Sequence, residues 1–210
     1  TSSGIYYIFV TKIGTDGTSY NWTRRIGGTY YDFGKSITTD SSGNIYVAGY
    51  ITGAVIFDED FGTSSDSPTS AGVMDIFVTK ITASGTYGWT RRMGGTGNDY
   101  GCSVDTDSAG NIYLTGSFYG TAMFGTTQKI STGGVNTDDD AFVTKISSGG
   151  DYDWTYKIGG GNSDYGKSIS VDNNDYIYIM GFSRDTINYA ADFGESDGMS
   201  GEYIFLTKIY

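Results

Sequence analysis

Apolar and polar residues alternate with a period of two along short stretches of this chain, and the stretches recur. In Phe9-Val10-Thr11-Lys12-Ile13, extended backbone puts Phe9, Thr11 and Ile13 on one face and Val10 and Lys12 on the other. The same five letters return at Phe77–Ile81 and Phe142–Ile146, and Phe205–Ile209 differs only in Leu206. The intervals are 68, 65 and 63 residues. No window shows a helical stripe, so the pattern predicts strands and almost no helix.

Three further segments keep this spacing. Trp22-Thr23-Arg24-Arg25-Ile26-Gly27-Gly28 recurs from Trp89 and, with Tyr156-Lys157 for the two arginines, from Trp154. Asp32-Phe33-Gly34-Lys35-Ser36-Ile37 recurs from Asp99 and Asp164. Asp40-Ser41-Ser42-Gly43-Asn44-Ile45-Tyr46 recurs from Asp107 and, more loosely, from Asp172. Each unit therefore predicts four antiparallel strands: A from Gly-x-Ser-Ile/Val, B after the Asp-x-x-Gly-Asn turn, C from Phe-Val-Thr-Lys-Ile, and D from Trp-Thr-Arg-Arg. Four strands in about sixty residues is the size of a propeller blade. A sandwich would not repeat at a fixed period, and a β-helix would repeat at a shorter one.

The expected fold class is all-β, with β-propeller-type blades of four antiparallel strands, about three in number, forming an open arc or part of a larger propeller or assembly. The boundaries are strands C and D at 5–28, a blade at 34–94, a blade at 101–160, and strands A, B and C at 166–210. Thirteen strands result. Closed propellers have about four to eight blades, so both ends should expose an apolar face and an unfinished sheet edge. Two explanations stay open: a piece of a longer repeat array, or subunits completing one another head-to-tail as a ring or a filament.

The combination of Asp-Tyr-Gly-x-Ser-Val, Asp-x-x-Gly-Asn-Ile-Tyr, Phe-Val-Thr-Lys-Ile and Trp-Thr-Arg-Arg-Ile-Gly-Gly resembles the bacterial β-propeller repeat family called SBBP. The resemblance covers nearly the whole chain. It implies a secreted or surface-attached protein and no shared enzymatic activity.

Composition narrows the function classes. The net charge is −11. A nucleic-acid or anionic-membrane partner requires cationic surface, so both are disfavoured. No apolar run is long enough to insert in a bilayer. With no histidine, the common Ser-His-Asp and Cys-His arrangements are absent. The single cysteine, Cys102, allows no intrachain disulfide.

Most chemically suggestive residues are repeated, which points to packing rather than to one site. Trp22, Trp89 and Trp154 with their cationic neighbours could stack sugars, but every blade needs the same core, as it needs Phe77 and Phe142. Asp32, Asp99 and Asp164 are expected to accept backbone N–H groups and fix the loop entering each blade. Lys12, Lys80, Lys145 and Lys208 are candidates to pair with those acids. Asp105 and Asp107, and the run Asp138-Asp139-Asp140, are weak calcium candidates with no EF-hand spacing. No cofactor is firmly implied.

The variable loops between strands B and C, at 50–75, 117–140 and 182–203, each hold a Phe-Gly pair (Phe61-Gly62, Phe124-Gly125, Phe193-Gly194) expected to anchor under the blade. They are where a glycan- or protein-binding module would carry its specificity. The leading expectation is a non-enzymatic extracellular or cell-surface scaffold that self-associates through its blade edges: Phe9, Thr11, Ile13 and Trp22 at one end, and Phe205, Thr207 and Ile209 at the other. The alternatives are a lectin-like or protein-binding module using those loops, or a fragment of a larger surface propeller.

Overall fold

A computed structural model describes residues 6–28, 30–56, 61, 68–132, 138–184 and 203–209. Its described elements are sixteen β-strands, numbered in chain order, in four antiparallel sheets. Among the described residues no helix is long and apolar enough to cross a membrane.

The first blade has β1 (Ile8–Ile13) and β2 (Tyr20–Gly28) as its strands C and D. The second has β3 (Phe33–Thr39), β4 (Ile45–Ile51), β6 (Asp75–Ile81) and β7 (Tyr87–Gly95) as A to D. The third has β8 (Tyr100–Thr106), β9 (Ile112–Tyr119), β12 (Asp139–Ile146) and β13 (Tyr152–Ile158). The fourth has β14 (Asp164–Val171), β15 (Ile177–Ser183) and β16 (Tyr203–Ile209) as A, B and C. The sheets do not close on one another, so the β-propeller repeats form an open series.

Thirteen expected strands are present, and three more correct the sequence reading. β5 (Val55–Ile56) pairs with β2, while β10 (Thr121–Phe124) pairs with β7 and carries β11 (Thr127–Ile130) outside it. All three come from the variable B–C loops, which the lectin-like alternative would use for binding. Each loop reaches back to the D strand of the preceding blade and covers its unpaired edge. The Gly-Gly pair ending strand D makes this approach feasible. A Cβ on Gly28 would overlap the carbonyl oxygen of Ala54, and one on Gly95 would overlap that of Thr121. Phe124 of the second loop is fully buried and Phe61 of the first is partly buried against Tyr87, while Phe193 lies outside the described residues.

Alternation gives each sheet two apolar faces, and the core is three separate layers between blades. Ile8, Val10 and Ile26 meet Val47, Phe77 and Ile81 across the first junction. Ile76, Val78 and Met93 meet Leu114, Phe142 and Ile146 across the second. Ala141, Val143 and Ile158 meet Ile169, Ile177 and Ile179 across the third.

Each A–B turn is built around an aspartate. Asp40 Oδ1 accepts N–H bonds from Ser42 and Asn44, and its Oδ2 accepts the Tyr46 hydroxyl; Asp107 and Asp172 repeat this with Tyr113 and Tyr178. Glycine takes the left-handed position at Gly43 and Gly110, and Asp175 takes it in the last turn at φ 63°. That non-glycine conformation carries a strain cost. The Asp175 carboxylate accepts N–H and O–H bonds from Ser108 of the preceding blade. Those bonds hold its pKa below the ordinary value.

Candidate functional site

Three devices join consecutive blades, and each is written in the repeat. The first is a latch on the C–D turn. Trp22 lies against Gly85, Arg24 Nε donates to the Gly85 carbonyl at 2.7 Å, and Lys12 Nζ donates to the Ala83 carbonyl at 3.0 Å. One blade on, Trp89 and Arg91 grip Gly150 and Lys80 Nζ donates to the Ser148 carbonyl. Lys12 and Lys80 thus reach the next blade's turn, rather than the expected aspartates entering each blade. Lys145 instead reaches Asp153 at 3.6 Å. Lys208 lies over the rings of Tyr176 and Tyr178.

The second device links the A strands. Ser36 Oγ accepts the Val104 N–H, and Ser103 Oγ accepts the Ile169 N–H, both at 3.2 Å. Asp105 Oδ1 accepts the Thr38 hydroxyl and its Oδ2 accepts the Val171 N–H.

The third is the aspartate entering each blade. Asp32 accepts the N–H groups of Gly28 and Thr52, Asp99 those of Gly95 and Tyr119, and Asp164 that of Gly160. A second carboxylate stands beside two of them. Asp75 and Asp99 converge on Gly94, and Asp140 and Asp164 converge on Gly159. Arg92 pairs with Asp75, and Lys157 Nζ lies 3.0 Å from Asp140. Burial, followed by the charges of Asp75 and Asp139, pushes Asp99 up to about 7. Burial, followed by Asp140, pushes Asp164 up to about 6. Burial also raises Asp32. Sequence reasoning missed these raised carboxyls, because their burial and the approach of Asp75 and Asp140 arise only on folding. They occupy repeat positions at blade junctions rather than one unique site.

The calcium candidates are engaged by protein groups. Asp105 and Asp107 make the bonds already described. Asp138 accepts from the Ser163 hydroxyl, Asp139 from the Tyr165 hydroxyl and Asp140 from Thr132. Among the described residues, no three His, Cys, Asp or Glu side chains cluster as metal ligands.

The first blade breaks the pattern. Its strands C and D have no A–B pair beside β1 among the described residues. A groove of about 680 Å³ opens there, lined by Tyr6, Ile8, Phe9, Val10, Phe33 and Ile37 among others. Phe9 is 75% exposed, whereas its equivalents Phe77 and Phe142 are fully buried. Ile13 is 61% exposed, whereas Ile81 and Ile146 are fully buried. Ile37 is 58% exposed, whereas Val104 and Ile169 are at 5% or less. Thr11 keeps its cross-strand bond to Thr23 at 2.8 Å, as Thr79 keeps Thr90 and Thr144 keeps Thr155. From the groove-lining Tyr6 and Phe33 the ring contacts continue to Tyr50 and Tyr100, and the Lys35 ammonium sits over Phe33 and Tyr50.

At the other end, β16 pairs with β15 and puts Phe205, Thr207 and Ile209 opposite Gly181, Ile179 and Ile177; the side chains of those three residues lie outside the described set. Trp154 has no following C–D turn beside it among the described residues and stacks on Tyr156 at 4.7 Å. Met180, on β15, is 45% exposed, while its equivalents Ala48 and Thr115 are fully buried.

Comparison with known proteins matches a family model described as a β-propeller repeat, SBBP, at residues 21–57, 88–117 and 153–183. An uncharacterized WD repeat-containing protein, L264, of Acanthamoeba polyphaga mimivirus is 28% identical over 184 residues, covering 77% of this chain and 13% of that protein. The regulatory protein FlaEY of Caulobacter vibrioides is 24% identical over 194 residues, covering 88% of this chain and 20% of that protein. The chain thus spans a fifth or less of the length of either relative.

Proposed function

Starting from a chain that is an array of SBBP-type β-propeller repeats, we propose that it is a non-catalytic scaffold module, displayed outside the cell, that works by joining further repeats at its open blade edges. The observation that carries this reading is the contrast at one repeat position: Phe9 at 75% exposure against Phe77 and Phe142 at zero. The same side chain in the same register is core in the second and third blades. Covering a phenylalanine fully contributes about 1.5–3 kcal/mol, and Ile13 and Ile37 offer comparable gains on the same surface. An apolar groove beside an unpaired strand edge favours strand addition, in which main-chain bonds give affinity and alternate side chains give register.

A non-catalytic role is supported by repetition. The buried carboxyls of raised pKa occur at every junction and receive backbone donors. Two short segments of the B–C loops, Val55–Ile56 and Ala122–Phe124, are engaged in covering D strands, which favours scaffold over lectin-like recognition by those segments.

Sedimentation over a concentration series tests the reading with an Ile37→Asp variant, whose site is exposed in the single chain. The parent chain should associate, and the variant should associate at least about tenfold more weakly. A parent chain that stays monomeric at high micromolar concentration would overturn the proposal.

A further inference from the structure

The third blade departs from its repeat at two positions that touch one buried carboxylate. We propose that Lys157 and Asp140 are the reacting partners of a self-catalysed amide (isopeptide) bond that joins strands C and D of that blade, with Asp164 and Thr132 handling the protons.

Register brings the partners together. In the pairing of β12 with β13, Lys157 stands opposite Phe142, so Asp140, two residues before Phe142, is its diagonal neighbour on the same face. Lys157 Nζ lies 3.0 Å from Asp140 Oδ2. The second blade keeps this register, with Arg92 opposite Phe77 and paired with Asp75. The chemistry differs. A guanidinium stays charged, whereas a lysine that sheds its proton is a nucleophile for carbonyl carbon. A second difference falls at the same carboxylate. The loop residue that donates its N–H to Asp75 is Ala71, and the one that donates to Asp140 is Thr132. The Thr132 hydroxyl also donates to Asp140 Oδ2 at 3.0 Å and accepts from Lys157 Nζ. The two changes that supply a nucleophile and a proton carrier therefore occur together, in one blade.

A third group completes the arrangement. Asp140 and Asp164 are both fully buried, and Asp140 Oδ1 has no hydrogen-bond partner among the described residues. Asp140 Oδ1 and Asp164 Oδ2 lie 2.5 and 2.8 Å from the point where a side chain on Gly159 would begin. The orphan oxygen thus faces the Asp164 carboxyl, and the missing side chain lets the two approach. Two acids and one cation in a buried site favour keeping a proton on one carboxyl, because an unbalanced buried charge is costly. Burial, the largest influence on Asp164, pushes it up to about 6. An Asp164 O–H directed at Asp140 Oδ1 satisfies the orphan atom and polarises the carbonyl to be attacked.

The step balances without a co-reactant. Lys157 Nζ passes a proton through the Thr132 hydroxyl to Asp140 Oδ2, leaving a neutral amine beside a neutral acid; burial penalises the charged alternative. The amine lone pair attacks Asp140 Cγ, and the carbonyl π pair moves onto Oδ1, which takes the Asp164 proton. The Cγ–Oδ2 bond then breaks, and Oδ2 leaves as water with its own proton and a second one from Nζ. Asp164 recovers its proton as the carbonyl re-forms. Nothing is oxidised or reduced. Holding amine and carboxyl in contact replaces the encounter that a bimolecular condensation would need.

Intact-mass spectrometry of the purified full chain tests this. The parent should weigh about 18 Da, one water, less than the 22.6 kDa of its sequence. Its tryptic digest should contain a branched peptide joining the segments that hold Lys157 and Asp140. Lys157→Arg, which copies the second blade, should restore the full mass. Asp164→Asn should also restore it, although both reacting residues remain, in protein that keeps the parent's circular dichroism. A parent chain of full mass would overturn the inference. So would an equal mass loss that persists in Lys157→Arg, the mark of an aspartyl imide elsewhere in the chain. Both readings are made on the denatured single chain, so they are independent of assembly at blade edges.

Discussion

The same residue type at the same repeat position meets different surroundings in this chain, so mutations at equivalent sites should separate local chemistry from position. Phe77→Ala empties a closed layer and should cost about 3–5 kcal/mol. Phe9→Ala, at a site 75% exposed, should cost the single chain less than about 0.5 kcal/mol. Urea unfolding at low protein concentration reads both. Asp99 gives a second residue-scale expectation. Its folded pKa of about 7 stands above the ordinary aspartate value, so the folded state binds the extra proton between about pH 4 and 7. The stabilisation from its protonated form is complete below pH 4 and lost as pH rises through 7, at up to ~1.4 kcal/mol per pH unit. Stability should therefore fall from pH 5 to pH 8, and Asp99→Asn should flatten that slope, as thermal melts at the two pH values would show. Asp99 was legible in the sequence as a loop acid, because Asp-Tyr-Gly recurs. Its raised pKa was not, because it arises from burial and from Asp75, which is distant in sequence.

At the scale of elements, the period-two alternation and repeated turns reveal strands A to D, because both depend on residues close together in the chain. β5, β10 and β11 escape that reading. Each is short, lies in a stretch of variable composition, and is stabilised by a D strand in the preceding unit. The available signal was the invariant Gly-Gly closing strand D, whose missing side chains admit the carbonyls of Ala54 and Thr121. Gly95→Ala should therefore cost on the order of 2–4 kcal/mol and deprotect the amides of Ala122–Phe124, which amide exchange would report. Lys12 and Lys80 illustrate a related limit. Their alternation shows which face they occupy, but their acceptors, the carbonyls of Ala83 and Ser148, belong to the next blade and are fixed only by blade packing.

For the whole molecule, the repeat pattern predicts an exposed apolar face on the first strand C, and an apolar groove lies beside it. The candidate site was thus legible as a location: Phe9, Thr11 and Ile13 lie on the open strand. Its full extent was not, since Phe33 and Ile37 of the second blade join it only through the stacking of neighbouring blades. The proposed account makes the open first blade the place where this chain joins further repeats. Hydrogen–deuterium exchange compared between dilute and concentrated protein tests that most directly. Protection should rise with concentration in 8–13 and 33–39 and stay constant in the closed strands 75–81 and 139–146. Protection unchanged with concentration at 8–13, or rising equally throughout the chain, would contradict it.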